Sequence, residues 1–562
     1  MFIPTTKQEL DQLGWQALDV ILVTGDSYVD SPFVGVAVVG HVLIEAGYRV
    51  GIIAQPDVHS QDDIARLGEP ELFWGVSGGC MDSLVANYTA TKKRKRADDL
   101  TPGGRNGRRP NRAVIVYANL IRRYFKHTKP IVLGGVEASL RRIAHYDFWS
   151  DSVRRSILFD AKADVLVYGM AERAVVELAS RLKAEAEIDD LRGICYISPE
   201  RKADAIELPS YEKVAGDKRA FTEMFHTFYR NNDPLTAQGL CQQQDTRYLI
   251  HNPPAFYLTQ QELDQVYEMD FERAQHPFYE RLGPVRALET IKFSLATHRG
   301  CYGECNFCSI AVHQGRTVRW RSADSVVREA RRLVAHPDFK GYIQDVGGPT
   351  ANMYGFECQK KLAKGSCEDR RCLYPRICPQ LKPDHGPQIA LLKRLRQIKG
   401  VKKVFVASGV RYDLLLADKQ HGVPYLREIV HHHVSGQMKV APEHVAERVL
   451  RRMGKPGAKV LLRFRELFYK LTQAIHKKQF LTYYLIAAHP GCTERDMRAL
   501  KRFASRELRI RPEQVQIFTP TPSTYSSLMY YTERDPFTGE SIFVEKEPVR
   551  KERQKEIVVG MK

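Results

Sequence analysis

The stretch His298-Arg-Gly-Cys-Tyr-Gly-Glu-Cys-Asn-Phe-Cys308 lies near the middle of the 562-residue chain and decides how the rest is interpreted. It places Cys301, Cys305 and Cys308 at C-x3-C-x2-C spacing, directly after an apolar segment, residues 290–296, that predicts a strand. Cysteine thiolates are the usual ligands of iron–sulfur clusters, and a cubane normally takes four of them. Three cysteines together predict a cluster in which one iron keeps an open position for a small molecule.

The composition predicts a soluble, cytoplasmic protein of two or three domains. No stretch approaches the roughly 18 apolar residues that a membrane-spanning helix needs, and the first residues lack a signal-peptide pattern. The 85 Lys and Arg against 66 Asp and Glu give a formal net charge of +19, which favours an anionic partner such as RNA. Eleven cysteines in such a chain indicate metal binding or catalysis rather than disulfides.

Residues 1–230 are predicted to form an open, mostly parallel, Rossmann-like α/β domain, because short apolar runs alternate there with helical segments. The predicted strands are residues 19–24, 49–54, 72–76, 130–133 and 164–168. Such a domain binds ligands at the carboxyl ends of its strands. Residues 231–285 are predicted to be a linker with one helix. Residues 526–562, which are charged and poor in apolar residues, are predicted to be a disordered tail.

A basic loop interrupts the N-terminal domain at residues 92–112, which hold nine basic and two acidic residues. Clustered Lys and Arg neutralise the phosphates of nucleic acids, so the loop is a candidate phosphate-contacting arm. A basic run without aromatic residues carries little specificity, however, and a solvated surface loop explains it equally well. The sequence leaves these alternatives open.

From residue 286 to residue 525 the chain repeats a strand–helix pattern, and six such units can be counted. The repetition predicts a barrel, complete or partial, with its chemistry on the loops at the carboxyl ends of the strands. An insert at residues 355–380, after the second predicted strand, carries a second group of cysteines: Cys358, Cys367, Cys372 and Cys378. Four cysteines suit a structural zinc or a second iron–sulfur cluster, and free thiols are a third alternative.

With its cysteine triad after the first strand of a six-unit α/β barrel, the chain resembles the radical SAM enzymes, and in more detail the uncharacterised YgiQ family. The resemblance rests on the triad and on motifs along the whole chain, among them Thr101-Pro-Gly-Gly104, Gly347-Gly-Pro-Thr350, Ala407-Ser-Gly-Val-Arg-Tyr412 and Ala441-Pro-Glu-His444. It implies an N-terminal Rossmann-like domain followed by a radical SAM partial (β/α)6 barrel.

The resemblance also implies the roles of individual residues. Cys301, Cys305 and Cys308 would hold a 4Fe–4S cluster whose open iron binds S-adenosylmethionine, and an electron donor such as flavodoxin or ferredoxin would reduce it. Phe307 would lie beside the adenine, and Gly347 and Gly348 would accept the methionine amino group. Ribose and carboxylate contacts are expected from polar residues at later strand ends: Ser408, Arg411, Lys439 and Glu443.

The N-terminal domain is similar to the cobalamin-binding domain attached to some radical enzymes. That family places its histidine ligand in a D-x-H pattern after the first strand, whereas this chain has Asp26-Ser-Tyr28. Tyrosine in place of the histidine puts bound cobalamin in doubt.

Two hypotheses of function result. The first is a radical SAM enzyme that abstracts hydrogen from an unidentified substrate, with RNA and protein as candidates. The second, based on the net charge of +19 and the basic loop, is a metal-stabilised RNA-binding protein without catalysis. The triad favours the first hypothesis, because a positive charge has many explanations and this cysteine spacing has few.

Overall fold

The structure, a computed structural model, describes residues 1–560 and divides into two compact units. The first unit comprises Met1–Thr89, Lys93–Leu258 and Gln265–Lys292, and the second comprises Ala90–Lys92, Thr259–Asp264 and the chain from Phe293 onward. Every helix within the described part of the chain is too short or too polar to cross a bilayer.

A nine-stranded sheet forms the centre of the first unit. From edge to edge its strands are Ile206–Leu208, Leu240–Gln244, Arg247–His251, Ile194–Ser198, Val165–Val167, Ile131–Gly134, Phe73–Ser77, Val20–Thr24 and Val50–Ala54. The last five run parallel, in the order 5-4-3-1-2 by chain position. This is the strand order of a flavodoxin-like doubly wound sheet, so the predicted Rossmann-like fold is confirmed.

Helices follow most of these strands. They are Lys7–Leu13, Gly35–Glu45, Ser83–Asn87, Ala113–Tyr124, Gly135–Leu140, Ile157–Ala161, Glu172–Lys183, Tyr211–Gly216, Lys218–Arg230, Pro277–Glu280 and Leu288–Ile291. Two short antiparallel pairs lie outside the main sheet, Val29–Asp30 with Ala274–Gln275 and His145–Asp147 with Ser152–Arg154. Every residue of Val20–Thr24 is buried, as expected for a parallel strand covered on both faces.

The predicted linker at residues 231–285 is wrong in part, because Leu240–Gln244 and Arg247–His251 form an antiparallel hairpin within the nine-stranded sheet. The glutamine-rich strand has the composition of a polar loop. Two of its three glutamines are nevertheless buried, and Gln242 Oε1 and Gln244 Oε1 accept hydrogen bonds from the backbone N–H groups of Ala144 and Ser156. Buried polar groups that find partners are tolerated in a core, and composition alone does not reveal the pairing.

The basic loop at residues 92–112 is partly built into the first unit. Arg109 is 1% exposed and its guanidinium lies 2.5 Å from Asp26 and 3.2 Å from Asp98. Arg112 pairs with Asp147 at 2.7 Å, and Lys95 Nζ donates to a backbone carbonyl. Three of the nine basic residues are therefore engaged inside the unit, which reduces the charge that the loop presents to a partner.

Arg109→Ala should lower the free energy of unfolding by about 3–5 kcal/mol, because it leaves the buried carboxylates of Asp26 and Asp98 without their cation. Arg108 is exposed on the same loop, so Arg108→Ala is the matched control and should change stability by less than about 0.5 kcal/mol. Denaturant unfolding of the two variants measures both values. Equal, small effects would show that Arg109 belongs to a solvated arm.

The second unit contains six parallel strand positions that pair in chain order. They are Ser294–Ala296, the interrupted pair Tyr342–Ile343 and Asp345–Gly347, then Lys403–Val404, Gln437–Glu443, Phe480–Ala487 and Val515–Ile517. Neighbouring strands are joined at Ala296↔Gly347, Ile343↔Val404 and through the Val410↔Val440 bridge, and the last three pair directly. The predicted α/β barrel of six units is confirmed.

Helices lie between and after these strands. They are Ile310–His313, Ala323–Ala335, Gln359–Lys364, Gly386–Arg396, Tyr412–Ala417, Gly422–Glu428, Glu447–Met453, Ala458–Ala474, Glu494–Phe503, Tyr525–Thr532 and Pro548–Val559, with π-helical turns at Ile429–His433 and Ala504–Leu508. A further helix, Gln260–Glu268, spans residues of both units. Along Phe480–Ala487 buried residues alternate with less buried ones, because one strand face packs on the helices.

For residues 526–560 the predicted disordered tail is also wrong, since two helices, Tyr525–Thr532 and Pro548–Val559, form there. The last two residues of that prediction, 561 and 562, lie outside the described residues. The last helix contains few apolar residues, but its buried side chains make specific contacts. Gln554 accepts a hydrogen bond from Ala488 N–H and donates to Cys492 O. Lys551 Nζ lies 2.9 Å from the hydroxyl of Tyr530.

Gln554→Ala should destabilise the second unit by about 1–3 kcal/mol, because it leaves the amide of Ala488 without its partner. Arg550 is exposed on the same helix, and Arg550→Ala should be nearly neutral. Thermal unfolding of both variants tests this prediction. Equal stability of the Gln554→Ala and Arg550→Ala proteins would contradict the packing of this helix against the second unit.

Candidate functional site

The cysteine triad lies in the loop that follows the first barrel strand, Ser294–Ala296. The loop starts close to the second strand, since Thr297 N–H donates to Gly347 O at 2.7 Å. A two-residue antiparallel pairing of His298–Arg299 with Arg319–Trp320 then holds its first part. Gly300 has a φ of 81°, and a Cβ there would come within 2.5 Å of Thr317 O, so glycine is required at this turn.

The three sulfurs receive hydrogen bonds from different parts of the second unit. Cys301 Sγ lies 3.3 Å from Gly303 N and 3.6 Å from Thr350 Oγ1, in the loop after the second strand. Cys305 Sγ lies 3.5 Å from Arg411 Nη1, after the third strand. The backbone N–H of Ile310 donates to Cys308. Burial raises the pKa of the Cys308 thiol to about 12, and each thiol must lose its proton to bind a metal.

Arg411 is the buried cation beside the triad. Its guanidinium donates two hydrogen bonds to Asp413, at 2.8 and 3.0 Å, and a third to Cys305. Burial opposes its charge, but Asp413 and Cys305 outweigh burial and raise the pKa of Arg411 well above its usual value. Asn352 fixes the backbone here, because its side chain bonds both N–H and C=O of Arg411. The guanidinium is therefore held next to a cysteine sulfur.

Gly347 and Gly348 end the second strand at a point of close approach. The carbonyl of Gly347 already accepts hydrogen bonds from the backbone and hydroxyl of Thr297. A Cβ on Gly348 would lie 2.6 Å from His298 Nε2 and 2.7 Å from His298 O. His298 thus excludes any side chain at position 348.

Glu443 ends the fourth strand in a left-handed conformation, with a φ of 66°. Such strain in a residue other than glycine concentrates at functional sites. Glu443 is 7% exposed, and its carboxylate lies 3.7 Å from Lys455 Nζ. Burial raises the pKa of Glu443, although Lys455 and Arg411 lower it, and the carboxyl lies within electrostatic reach of Cys308.

Asn306, between the second and third cysteines, connects the triad loop to three other segments. Its backbone N–H donates to Met453 O at 2.9 Å, and its Nδ2 donates to Arg452 O at 2.8 Å. Its Oδ1 accepts from Arg371 Nη1 at 2.6 Å, and its carbonyl accepts from Ser526 N–H at 2.8 Å. Asn306 is 3% exposed and its polar groups are thus bonded within the protein.

The other residues predicted for cofactor binding lie around the triad loop or along the strands. The ring of Phe307 packs edge-on against His489, with centroids 6.3 Å apart. Ser408 Oγ donates to the carboxylate of Asp345, so its hydroxyl is engaged at the ends of the second and third strands. Lys439 lies earlier on the fourth strand, and its side chain is exposed. No finding assigns these residues a ligand, and their roles stay predictions.

Comparisons with known proteins agree on the family. The description "Radical SAM N-terminal" matches residues 2–294, "Radical SAM superfamily" matches residues 295–504, and a domain of unknown function matches residues 513–559. A UPF0313 protein of Fusobacterium nucleatum is 58% identical over 99% of this chain and 98% of its own length. A UPF0313 protein of Thermotoga neapolitana is 48% identical over 100% of this chain and 99% of its own. The chain belongs to the UPF0313 family of the radical SAM superfamily.

Solved structures support the fold of this UPF0313 protein. The radical S-adenosylmethionine methyltransferase TsrM from Kitasatospora setae, solved with cobalamin and a 4Fe–4S cluster, aligns with a TM-score of 0.53 at 14% identity, over 92% of this chain and 75% of that one. The cobalamin-dependent radical enzyme OxsB, solved with aqua-cobalamin and S-adenosylmethionine, aligns with a TM-score of 0.50 at 12% identity, over 92% and 55%. At these identities the likeness concerns the fold alone.

Membership in the superfamily implies a 4Fe–4S cluster and S-adenosylmethionine, and the donor set of the triad fits the cluster. Three thiols come from one loop, and hydrogen-bond donors, namely Gly303 N–H, Ile310 N–H and Arg411, point at the sulfurs. Donors directed at cysteine sulfurs stabilise the thiolates that iron requires. Cys301, Cys305 and Cys308 are therefore the residues that would hold the cluster.

Cobalamin does not fit the first unit. Tyr28, at the position of the expected histidine ligand, is fully buried; its hydroxyl accepts from Ile3 N–H and donates to Asp30. At the switch point between the first and third parallel strands, Arg109 donates to Gly25 O and Asp26. The carboxylate of Asp26 in turn accepts from Cys80 N–H at 2.5 Å. Side chains of the unit itself occupy the crevice where a flavodoxin-like sheet binds its ligand.

The sequence missed several residues that shape the site. Asn306 and Thr350 stand inside motifs that the sequence had singled out, but as neighbours of cysteines and glycines they carried no separate signal. Asp345 and Asn352 act through the residues that they hold, Ser408 and Arg411. Ser526 belongs to the segment that was predicted to be disordered.

Arg411→Gln should shift the midpoint potential of the reconstituted cluster to more negative values, because reduction adds negative charge beside Cys305 and the variant lacks the cation that stabilises it. A redox titration followed by electron paramagnetic resonance measures the shift. Arg394→Gln, which removes an exposed arginine paired with Asp324, is the matched control and should leave the potential unchanged. An unaltered potential in an Arg411→Gln protein with a full cluster would contradict this role.

Proposed function

We propose that this protein is a radical SAM enzyme that cleaves S-adenosylmethionine reductively and abstracts a hydrogen atom from its substrate. When bound, the 4Fe–4S cluster supplies the electron that breaks a carbon–sulfur bond of S-adenosylmethionine and yields a 5′-deoxyadenosyl radical. The protein's task is to bind and orient both groups and to keep water and stray hydrogen donors away.

One observation carries the proposal: residues from four successive strand ends meet at the triad loop. The first strand leads into the triad, the second contributes Thr350 beside Cys301, the third Arg411 beside Cys305, and the fourth Glu443 near Cys308. Catalytic residues of α/β barrels come from the carboxyl ends of several strands. A structural metal site would need no such convergence, since its ligands alone complete it.

The residues around the triad have distinct tasks in this proposal. Arg411 balances the negative charge of the cysteine ligands, because it is held against Cys305 by Asp413. Glu443 offers a buried carboxyl group for the ribose. The backbone of Gly348 would serve the methionine end, since the carbonyl of Gly347 already accepts two hydrogen bonds from Thr297. Burial of Glu443 and Arg411 supports exclusion of water from this part of the site.

We further propose an external one-electron donor, such as flavodoxin or ferredoxin, and a macromolecular substrate, RNA or protein. The net charge of +19 supports an anionic substrate. The face of the barrel strands opposite the helices supports a site with room beyond the cofactor, since Tyr342, Ala407 and Lys439 are exposed there.

The alternative, an RNA-binding protein without catalysis, has lost part of its support. It relied on the basic loop at residues 92–112, and Arg109, Arg112 and Lys95 of that loop are engaged inside the first unit. It also gives no reason for the contact between Arg411 and Cys305.

The decisive experiment is anaerobic reconstitution with iron and sulfide, followed by addition of dithionite and S-adenosylmethionine. The wild-type protein should form 5′-deoxyadenosine, which mass spectrometry detects. Cys305→Ala should reduce its formation at least about 100-fold, because a cubane with two protein ligands is not held in place.

Cys80→Ala is the matched control, since this exposed cysteine lies outside both cysteine groups, and it should keep wild-type activity. Formation of 5′-deoxyadenosine at the same rate in wild type and Cys305→Ala, or in neither, would overturn the proposed function.

A further inference from the structure

The insert after the second barrel strand builds a small core of its own against the triad loop. Its buried members include Tyr302, Phe356, Cys358, Leu373 and Leu381, and Cys301, Cys372 and Cys378 pack against its edge. Three cysteines of the insert and one of the triad therefore border the same group of side chains. None of the eleven cysteines forms a disulfide.

Hydrogen-bond donors point at two of the four sulfurs of the insert, those of Cys372 and Cys378. Lys361, which is 4% exposed, lies with its Nζ 3.5 Å from Cys372 Sγ. Arg370 Nη1 lies 3.8 Å from Cys378 Sγ, and the backbone N–H groups of Gln380 and Leu381 also donate to that sulfur. Cations and amides so arranged stabilise thiolates, and neutral thiols in a core do not require them.

The amide pattern at the insert repeats the pattern at the triad. Gly303 N–H donates to Cys301 and Ile310 N–H donates to Cys308, in each case from two positions along the chain. Gln380 N–H bears the same relation to Cys378. The same local backbone arrangement thus surrounds a sulfur in both cysteine groups.

The cysteines of the insert share neighbours in pairs. Cys378 N–H donates to Cys372 O at 2.8 Å. Cys358 and Cys372 are both within electrostatic reach of the Tyr302 hydroxyl, and Cys367 and Cys378 of the Arg370 guanidinium. The insert also contacts the triad loop, because Arg371, directly before Cys372, donates a hydrogen bond to Asn306 Oδ1.

The spacing of the sulfurs separates a zinc ion from a cluster. A zinc ion holds four thiolates at about 2.3 Å, which keeps their sulfurs roughly 3.8 Å apart. Within residues 1–560, the only three ligand atoms that lie within 4.8 Å of one another belong to Asp384, Asp418 and His421, and no cysteine takes part. In a cubane each thiolate binds a different iron, so the sulfurs lie farther apart than around a zinc ion. The triad sulfurs likewise form no group within 4.8 Å among the described residues.

We propose that Cys358, Cys367, Cys372 and Cys378 hold a second iron–sulfur cluster, with all four irons of a cubane ligated by the protein. Full ligation leaves no iron open for S-adenosylmethionine, so this centre differs in chemistry from the triad. Tyr302, directly after Cys301, lies between the two cysteine groups, and its hydroxyl donates to Phe356 O within the insert's core.

The test counts metals in the full-length protein after anaerobic reconstitution, by plasma mass spectrometry and a sulfide assay. The wild type should hold about eight irons and eight sulfides per chain. The variant Cys301→Ala/Cys305→Ala/Cys308→Ala should keep about half of them and show a cluster spectrum of its own. This readout is independent of the proposed function, because it does not require cleavage of S-adenosylmethionine.

Cys367→Ser/Cys378→Ser should lose the other half of the iron and keep the triad's cluster, whereas the control Cys80→Ala should lose none. These two ligands are only partly buried, so their replacement spares the insert's core; a thermal melt matching that of the control confirms folding. Four irons and one zinc in the wild type, an iron-free triad variant, or full iron in Cys367→Ser/Cys378→Ser would each overturn the proposal.

Discussion

The hydrogen bonds of Asn306 are the constraint on which the site depends. The triad loop is long and contains only short helical segments. Its own backbone therefore cannot fix the positions of three sulfurs relative to one another. Asn306 supplies the missing restraint by bonding the helix after the fourth strand, the cysteine-rich insert and the C-terminal helices at once. A buried side chain with all its groups paired is rigid, and a rigid loop presents its cysteines in one arrangement.

The remaining features of the second unit follow from this restraint. Parallel strands in chain order bring their carboxyl ends to one edge, and each end contributes one residue near a sulfur. Arg411 brings the positive charge that a group of thiolates needs in a buried site, and Asp413 keeps it there. Glycines at the second strand end allow His298 to approach closely. The site is thus a set of loops held by polar contacts on a rigid apolar scaffold.

The scaffold could be predicted from the sequence because apolar periodicity records burial directly. The five parallel strands of the first unit, the barrel strands and the position of the triad were found in this way, and the family resemblance supplied the order of the barrel. Two of the errors share one cause. The strand Leu240–Gln244 and the helix Pro548–Val559 are stabilised by buried glutamines that pair with distant backbone groups. Composition treats such residues as solvent-exposed, and only three-dimensional contacts show their partners.

The site itself was predictable only to the level of its ligands. Cysteine spacing identifies a metal group without further information, whereas Asn306, Asn352 and Asp345 act by holding other residues. An asparagine in a sequence gives no indication of what it will hold. The basic loop is a second example of what a sequence leaves undetermined. Buried Arg109 and exposed Arg108 cannot be distinguished until the burial of each side chain is known.

The contact between Ser526 and Asn306 has a consequence for how the protein is made. Ser526 and Gln554 follow all seven cysteines of both groups in the chain, yet they bond the triad loop and the loop after the fifth strand. A nascent chain that has exposed all seven cysteines of both groups still lacks these restraints. The hydrogen bond from Ser526 N–H to Asn306 O can form only after residue 526 has left the ribosome, so the restraint on the triad loop is completed after the cysteines of both groups have emerged.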